Sequence, residues 1–150
     1  MEEVYTQNEI SHVAQKIINP ISLSKTEHAI LVCLSGDLGA GKTTLVQEIA
    51  LILGIKESVV SPTYVIMKKY ASSYNDRFKN IVHIDAYRLE SDDELFRLGW
   101  DELMSDPHTV IFLEWPERVP GATKNPTFSI SLTHHNQDSR KMTLVGYTTI

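Results

Sequence analysis

Apolar residues recur along this chain in two rhythms. Ile10, Val13, Ala14, Ile17 and Ile18 fall at i, i+3, i+4, i+7 and i+8, one face of a helix. Asn8 is placed to cap that helix and Asn19-Pro20 to end it. The polar stretch from Ser22 to His28 then predicts a loop. Ala29 to Leu34 is a short unbroken apolar run, the pattern of a strand buried on both faces. After a glycine-rich turn, Lys42 to Leu53 reads as a second helix, burying Leu45, Ile49, Ile52 and Leu53, with Gly54 as its stop.

The second half carries more strands. Tyr64 to Tyr70 is strand-like, and Ser72-Ser73-Tyr74-Asn75-Asp76 connects it to a strand over Ile81 to Asp85. Ser91 with Glu94 three residues on predicts a capping box that opens a short helix with Leu95 and Leu98. Val110 to Glu114 predicts a further strand. Phe128 to Leu132 and Met142 to Tyr147 suit an antiparallel pair around the polar turn His134 to Ser139. Helices interspersed with apolar strands predict a three-layer α/β fold with a mixed parallel and antiparallel sheet, in one domain over residues 1–150.

The turn between the first strand and the second helix carries chemistry. Gly36-Asp37-Leu38-Gly39-Ala40-Gly41-Lys42-Thr43 matches the Walker A pattern GxxxxGK[ST] at every fixed position. Polyphosphate charge calls for backbone N–H groups turned inward, and glycines let the chain curl with no side chain in the way. In that pattern Lys42 reaches the β and γ phosphates and the Thr43 hydroxyl ligates Mg2+. An apolar strand before it and an amphipathic helix after it are the setting this loop needs.

Phosphoryl transfer also needs an acid near the metal and a group that orients the attacking oxygen. Two strands end in a carboxylate, Asp85 and Glu114, and ligands of α/β sheets bind beyond the carboxyl ends of the strands. Spacing does not say which of the two holds the metal.

Composition narrows the partners. With 14 Lys and Arg against 19 Asp and Glu, the formal net charge is −5. No basic cluster exceeds Lys68-Lys69, which argues against unaided nucleic-acid binding. The single cysteine, Cys33, lies in an apolar run and reads as a buried inert thiol. The acidic N-terminus lacks the order of a secretory signal, and no apolar run nears the roughly 20 residues of a membrane span. These features predict a cytoplasmic protein. His83, inside an apolar strand, reads as a satisfied core histidine, and His134-His135 as a solvated turn.

Four segments together resemble the TsaE (formerly YjeE) family of bacterial P-loop ATPases. They are Gly36 to Thr44, Ser61-Pro62-Thr63-Tyr64, His83-Ile84-Asp85-Ala86-Tyr87-Arg88-Leu89 and Glu114-Trp115-Pro116-Glu117-Arg118. The resemblance implies a P-loop NTPase fold, ATP/ADP and Mg2+ as ligands, and a role in the threonylcarbamoyladenosine modification of tRNA. It implies that Asp37, Leu38, Gly39, Ala40, Gly41, Lys42, Thr43 and Thr44 hold the phosphates, with Trp115 near the nucleotide. Thr43 and Glu114 would serve the metal, Asp85 would position or deprotonate the attacking water, and Thr63 would sense the γ-phosphate from a switch-like loop. The expected partners are TsaD and TsaB, with tRNA engaged only through that complex. No arginine finger is evident in cis, so the isolated chain is expected to turn over slowly.

Two other functions fit parts of the pattern. A small-molecule or nucleoside kinase would use Asp85 to activate an acceptor hydroxyl, but no arginine-rich lid segment is present. A guanine-nucleotide switch would carry Asn-Lys-x-Asp and Asp-x-x-Gly segments, and neither occurs.

Overall fold

A computed structural model describes residues 1–59 and 65–147. Seven strands form one sheet: β1 Glu2–Thr6, β2 Ile30–Ser35, β3 Met67–Ala71, β4 Asn80–Asp85, β5 Thr109–Glu114, β6 Phe128–Asn136 and β7 Ser139–Gly146. Their order across the sheet is β1-β7-β6-β2-β5-β4-β3. The centre is parallel, with β2 between β5 and β6 and β4 beside β5. Both edges are antiparallel, β3 on β4 and the ladder β6-β7-β1. The mixed α/β sheet is the one the apolar runs predict.

Among the described residues four α-helices flank it: α1 Ile10–Leu23, α2 Lys42–Ile52, α3 Asp92–Phe96 and α4 Trp100–Ser105. Alternation along β2 feeds two cores. Ile30, Val32 and Leu34 point to the face packed by α1 and α2, with Ile17, Ile21, Leu45 and Ile49. Leu31 and Cys33 point to the other face, covered by Leu89, Leu95, Trp100 and Val119. β2 is therefore flanked by apolar side chains on both faces, as its unbroken apolar run requires. Along β6, by contrast, Phe128, Ile130 and Leu132 are buried while Ser131 and Thr133 are exposed. Among the described residues no helix is long and apolar enough to cross a membrane.

Several local expectations need correction. Helix α1 does not stop at Asn19-Pro20 but carries Pro20 inside it and ends at Leu23. An interior proline costs about 3 kcal/mol, yet continuing the helix buries Ile21 to 1% exposure, a gain of about 1.5–3 kcal/mol for such a side chain. Nor does Asn8 cap α1: it lies inside a preceding 3-10 turn, Gln7–Glu9, and α1 is capped at Glu9 without a side-chain hydrogen bond. The Glu9 carboxylate accepts hydrogen bonds from the Thr6 N–H and hydroxyl, both at 3.0 Å.

The expected capping box at Ser91 is not made. Ser91 caps α3 without a side-chain hydrogen bond, and the Glu94 carboxylate accepts the Glu90 N–H instead, at 3.3 Å. Leu98 lies outside the helix and is exposed, because α3 ends at Phe96 and Gly99, at φ +90°, starts α4. His134 and His135 belong to β6 rather than to the turn, which is Gln137-Asp138. Ile52 is only partly buried. Strand β1 has no counterpart among the predicted elements.

Candidate functional site

The loop between β2 and α2 is shaped by close approach. At Gly36 a Cβ would lie 2.6 Å from the Leu132 carbonyl oxygen, so a side chain there would displace the neighbouring strand. Gly41, at φ +100°, turns the chain into α2 through a conformation that side-chain-bearing residues rarely adopt. Helix α2 then starts at Lys42 and aims the amide N–H groups of its first turn, and the positive end of its dipole, into the loop.

Loop residues 37–44, Asp85, Glu114 and Trp115 line one cleft of about 290 Å³. The cleft thus brings together every site residue expected from the sequence except Thr63, which lies outside the described residues. The acids are neighbours because β4 and β5 run parallel in a register that sets Asp85 beside Glu114. Both are nearly buried, at 6% and 2% exposure. Asp85 Oδ1 accepts the Tyr87 N–H at 3.0 Å.

Thr43 donates its hydroxyl to the Glu114 carboxylate, 3.2 Å from Oε1 and 3.0 Å from Oε2. The geometry therefore distinguishes two acids that spacing leaves equivalent: the hydroxyl expected to serve a metal meets Glu114. Two hard oxygen donors at the mouth of a phosphate loop suit Mg2+, which takes one or two protein oxygens and fills its shell with phosphate and water. Among the described residues no group of three or more His, Cys, Asp or Glu forms a protein-only metal cage.

Lys42 is folded over its own loop. Its ammonium donates to the Gly36 carbonyl and, at 3.4 Å, to that of Asp37, and sits 3.9 Å from the centre of the Trp115 ring. Burial pushes its pKa below the ordinary lysine value, and the carboxylates of Glu114, Glu117, Asp85 and Asp37 push back. Trp115 takes the left-handed conformation at φ +63°, a local strain in a bulky residue. Its N–H is tied to the Leu34 carbonyl at 3.2 Å, and its ring meets Tyr87 at 5.1 Å.

His83 is buried, as expected, but its ring is not merely packing. Nε2 lies 2.5 Å from Glu114 Oε2, while Nδ1 is buried with no protein hydrogen-bond partner among the described residues.

A second cleft, about 240 Å³, adjoins the loop and shares Gly39, Ala40, Gly41 and Thr44 with it. Its other walls are Tyr5, Gln7 and Ile10 from the N-terminal segment and Gln137, Asp138 and Arg140 from the β6-β7 hairpin. Sequence reasoning missed these residues. They carry no motif and become neighbours only because β1 pairs with β7, setting Tyr5 opposite Arg140. A larger cavity, about 710 Å³, opens elsewhere, beside Cys33, Ser129 and Lys124. It contains neither the glycine loop nor the paired acids.

A family model described as threonylcarbamoyl adenosine biosynthesis protein TsaE matches residues 4–142. The chain is 34% identical over 125 residues to the tRNA threonylcarbamoyladenosine biosynthesis protein TsaE of Haemophilus influenzae, covering 83% of this chain and 75% of that one. It is 46% identical over 88 residues to the protein of that name from Streptomyces coelicolor, covering 58% and 57%. The crystal structure of YdiB from Bacillus subtilis matches with a TM-score of 0.69 at 25% identity, over 99% of this chain and 86% of that one.

Proposed function

The chain belongs to the TsaE family, and from that premise we propose that it is a Mg-dependent ATPase supporting threonylcarbamoyladenosine modification of tRNA by acting on the TsaB–TsaD complex. The observation that carries the ATPase reading is the contact of Thr43 with Glu114 at the mouth of the glycine loop, with Asp85 alongside. In this reading loop residues 37–44 and Lys42 hold the phosphates, and Thr43 and Glu114 hold Mg2+. The metal supplies charge neutralisation for the transferring phosphoryl group. Asp85, one strand over, orients or deprotonates the attacking water.

The adjoining cleft between Tyr5 and Arg140 is the place for the nucleoside, since it continues from the same loop residues. Lys42 would exchange its carbonyl contacts for phosphate and leave the Trp115 ring as it did so. Leu38, which lines the cleft, and Tyr87, whose ring meets the cleft residue Trp115, are both exposed, and a partner covering the nucleotide would meet them.

The test is phosphate release from Mg-ATP with and without purified TsaB–TsaD. Slow basal turnover with strong stimulation by the pair is expected, because a catalytic arginine supplied in trans is worth about 10³–10⁵ in rate. Intact ATP binding without stimulation would remove the partner reading and leave the phosphate site standing. Unchanged turnover and partner-dependent tRNA modification in Lys42→Ala would overturn the ATPase reading.

A further inference from the structure

We infer that His83 is a positioning residue for Glu114, holding its carboxylate in the orientation that receives a divalent cation beside Thr43. The inference rests on the metal-site reading above.

Glu114 is 2% exposed and His83 fully buried. A carboxylate so far from water needs hydrogen bonds on its oxygens before any cation arrives. The Thr43 hydroxyl supplies one, shared between Oε1 and Oε2, but it is also the group expected to turn toward a metal. Once it turns, the protein donor that the described contacts leave on the carboxylate is His83, through Nε2 at 2.5 Å from Oε2. With that oxygen held, the carboxylate keeps its plane and presents Oε1 to the cleft.

The sheet dictates this pairing. On β4 and β5, side chains at alternate positions share a face, so Ile81, His83 and Asp85 lie with Val110, Phe112 and Glu114 on the side packed by α2. His83 sits opposite Phe112, one step behind Glu114, and its ring reaches forward across the two strands.

How the two ring nitrogens are used among the described residues argues against a purely structural role. A buried ring selected for core stability alone would pair both nitrogens or be replaced by an apolar side chain. Here one nitrogen is spent on the acid and the other has no protein partner among the described residues. Assigning the proton to Nε2 leaves Nδ1 a bare acceptor, so no N–H is stranded. Donors behind a metal ligand fix its orientation in this way, and their loss lowers metal affinity by about 10–100-fold.

The experiment titrates Mn2+ into the full chain with ADP and reads free Mn2+ by electron paramagnetic resonance. ADP affinity in EDTA and the thermal midpoint are measured alongside. Wild type and Glu114→Ala come first: if wild type takes up no Mn2+ with ADP, or Glu114→Ala takes it up equally well, the metal-site reading itself is wrong. If Glu114→Ala weakens Mn2+, His83→Leu is expected to weaken it by about 10–100-fold with ADP affinity in EDTA unchanged. His83→Gln, whose amide N–H reoccupies the Nε2 position, should stay near wild type. His83→Asn, polar but too short to reach Glu114, should behave like His83→Leu. In the Glu114→Ala background His83→Leu should add nothing.

Wild-type Mn2+ affinity in His83→Leu would overturn the proposal, as would the same loss with and without Glu114. If His83→Leu does not fold, the Gln and Asn variants decide between them. Equal impairment of the two at an intact thermal midpoint also overturns it.

Discussion

The parallel centre of the sheet, built from nearly unbroken buried runs, and its antiparallel flank, built from half-buried strands, divide the work. In β2, β4 and β5 both faces are covered, and the strands end together at Ser35, Asp85 and Glu114. The phosphate loop, both acids and His83 all hang from that centre. In β6, β7 and β1 one face of the sheet meets α1 and the other meets solvent. That flank contributes walls: the hairpin residues Gln137, Asp138 and Arg140, and Tyr5 from β1. The centre is packed from both sides, which restrains the groups it carries, whereas the flank is packed on one face only.

This division can be broken by substitutions whose effects should differ in kind. The largest is expected at Asp85→Ala, which should lower turnover by about 10²–10⁴-fold, the worth of a general base, with ATP binding largely kept. Glu114→Ala should instead raise the Mg2+ concentration needed for half-maximal turnover. Phosphate release at varied Mg2+ reads both, and exchanged phenotypes would reverse the two roles.

Next in size is Phe112→Ala on β5. Phe112 is fully buried, and its loss should cost about 3–5 kcal/mol in urea unfolding. On the flank, Arg140→Ala should weaken ADP binding by about tenfold, or 1.4 kcal/mol, measured by calorimetry, while leaving the Mg2+ requirement and the saturated rate unchanged. A changed Mg2+ requirement would show that the flank reaches the reacting centre. The smallest effect is expected at Thr133→Ala on the bare face of β6, within about 0.5 kcal/mol of wild type in the same unfolding assay.

Cys33 offers a check on the covered face of β2. Burial, with the Glu117 charge adding to it, pushes its thiol up to about 12. It should react slowly with a disulfide reagent at pH 8 in the native protein and quickly in denaturant, as the thiolate is the reactive form.

Legibility in the sequence follows the same boundary. The central strands announce themselves as unbroken apolar runs, and the Walker segment is contiguous, so its residues and both acids were nameable without coordinates, while Trp115 came only from the family resemblance. β1 is different: only Tyr5 of its five residues is buried, which leaves no alternation to read, and it is a strand only because β7 lies beside it. Pro20 misleads for a related reason. Its local cost is visible in the sequence, but the apolar surface that receives Ile21 belongs to other segments. His83 looked like a core residue because nothing local distinguishes a packed imidazole from one that reaches an acid 31 positions away.

The sequence by itself determined the phosphate loop, the elements on either side of it and the two acids at strand ends. These depend on contiguous residues or on period along one segment, where backbone geometry does the arranging. Which acid meets Thr43, that His83 stands behind it, and that Tyr5 faces Arg140 were decided by tertiary structure. Each depends on the register between strands far apart in the chain. A one-residue shift in that register would turn every side chain to the opposite face, and nothing in a single segment specifies it.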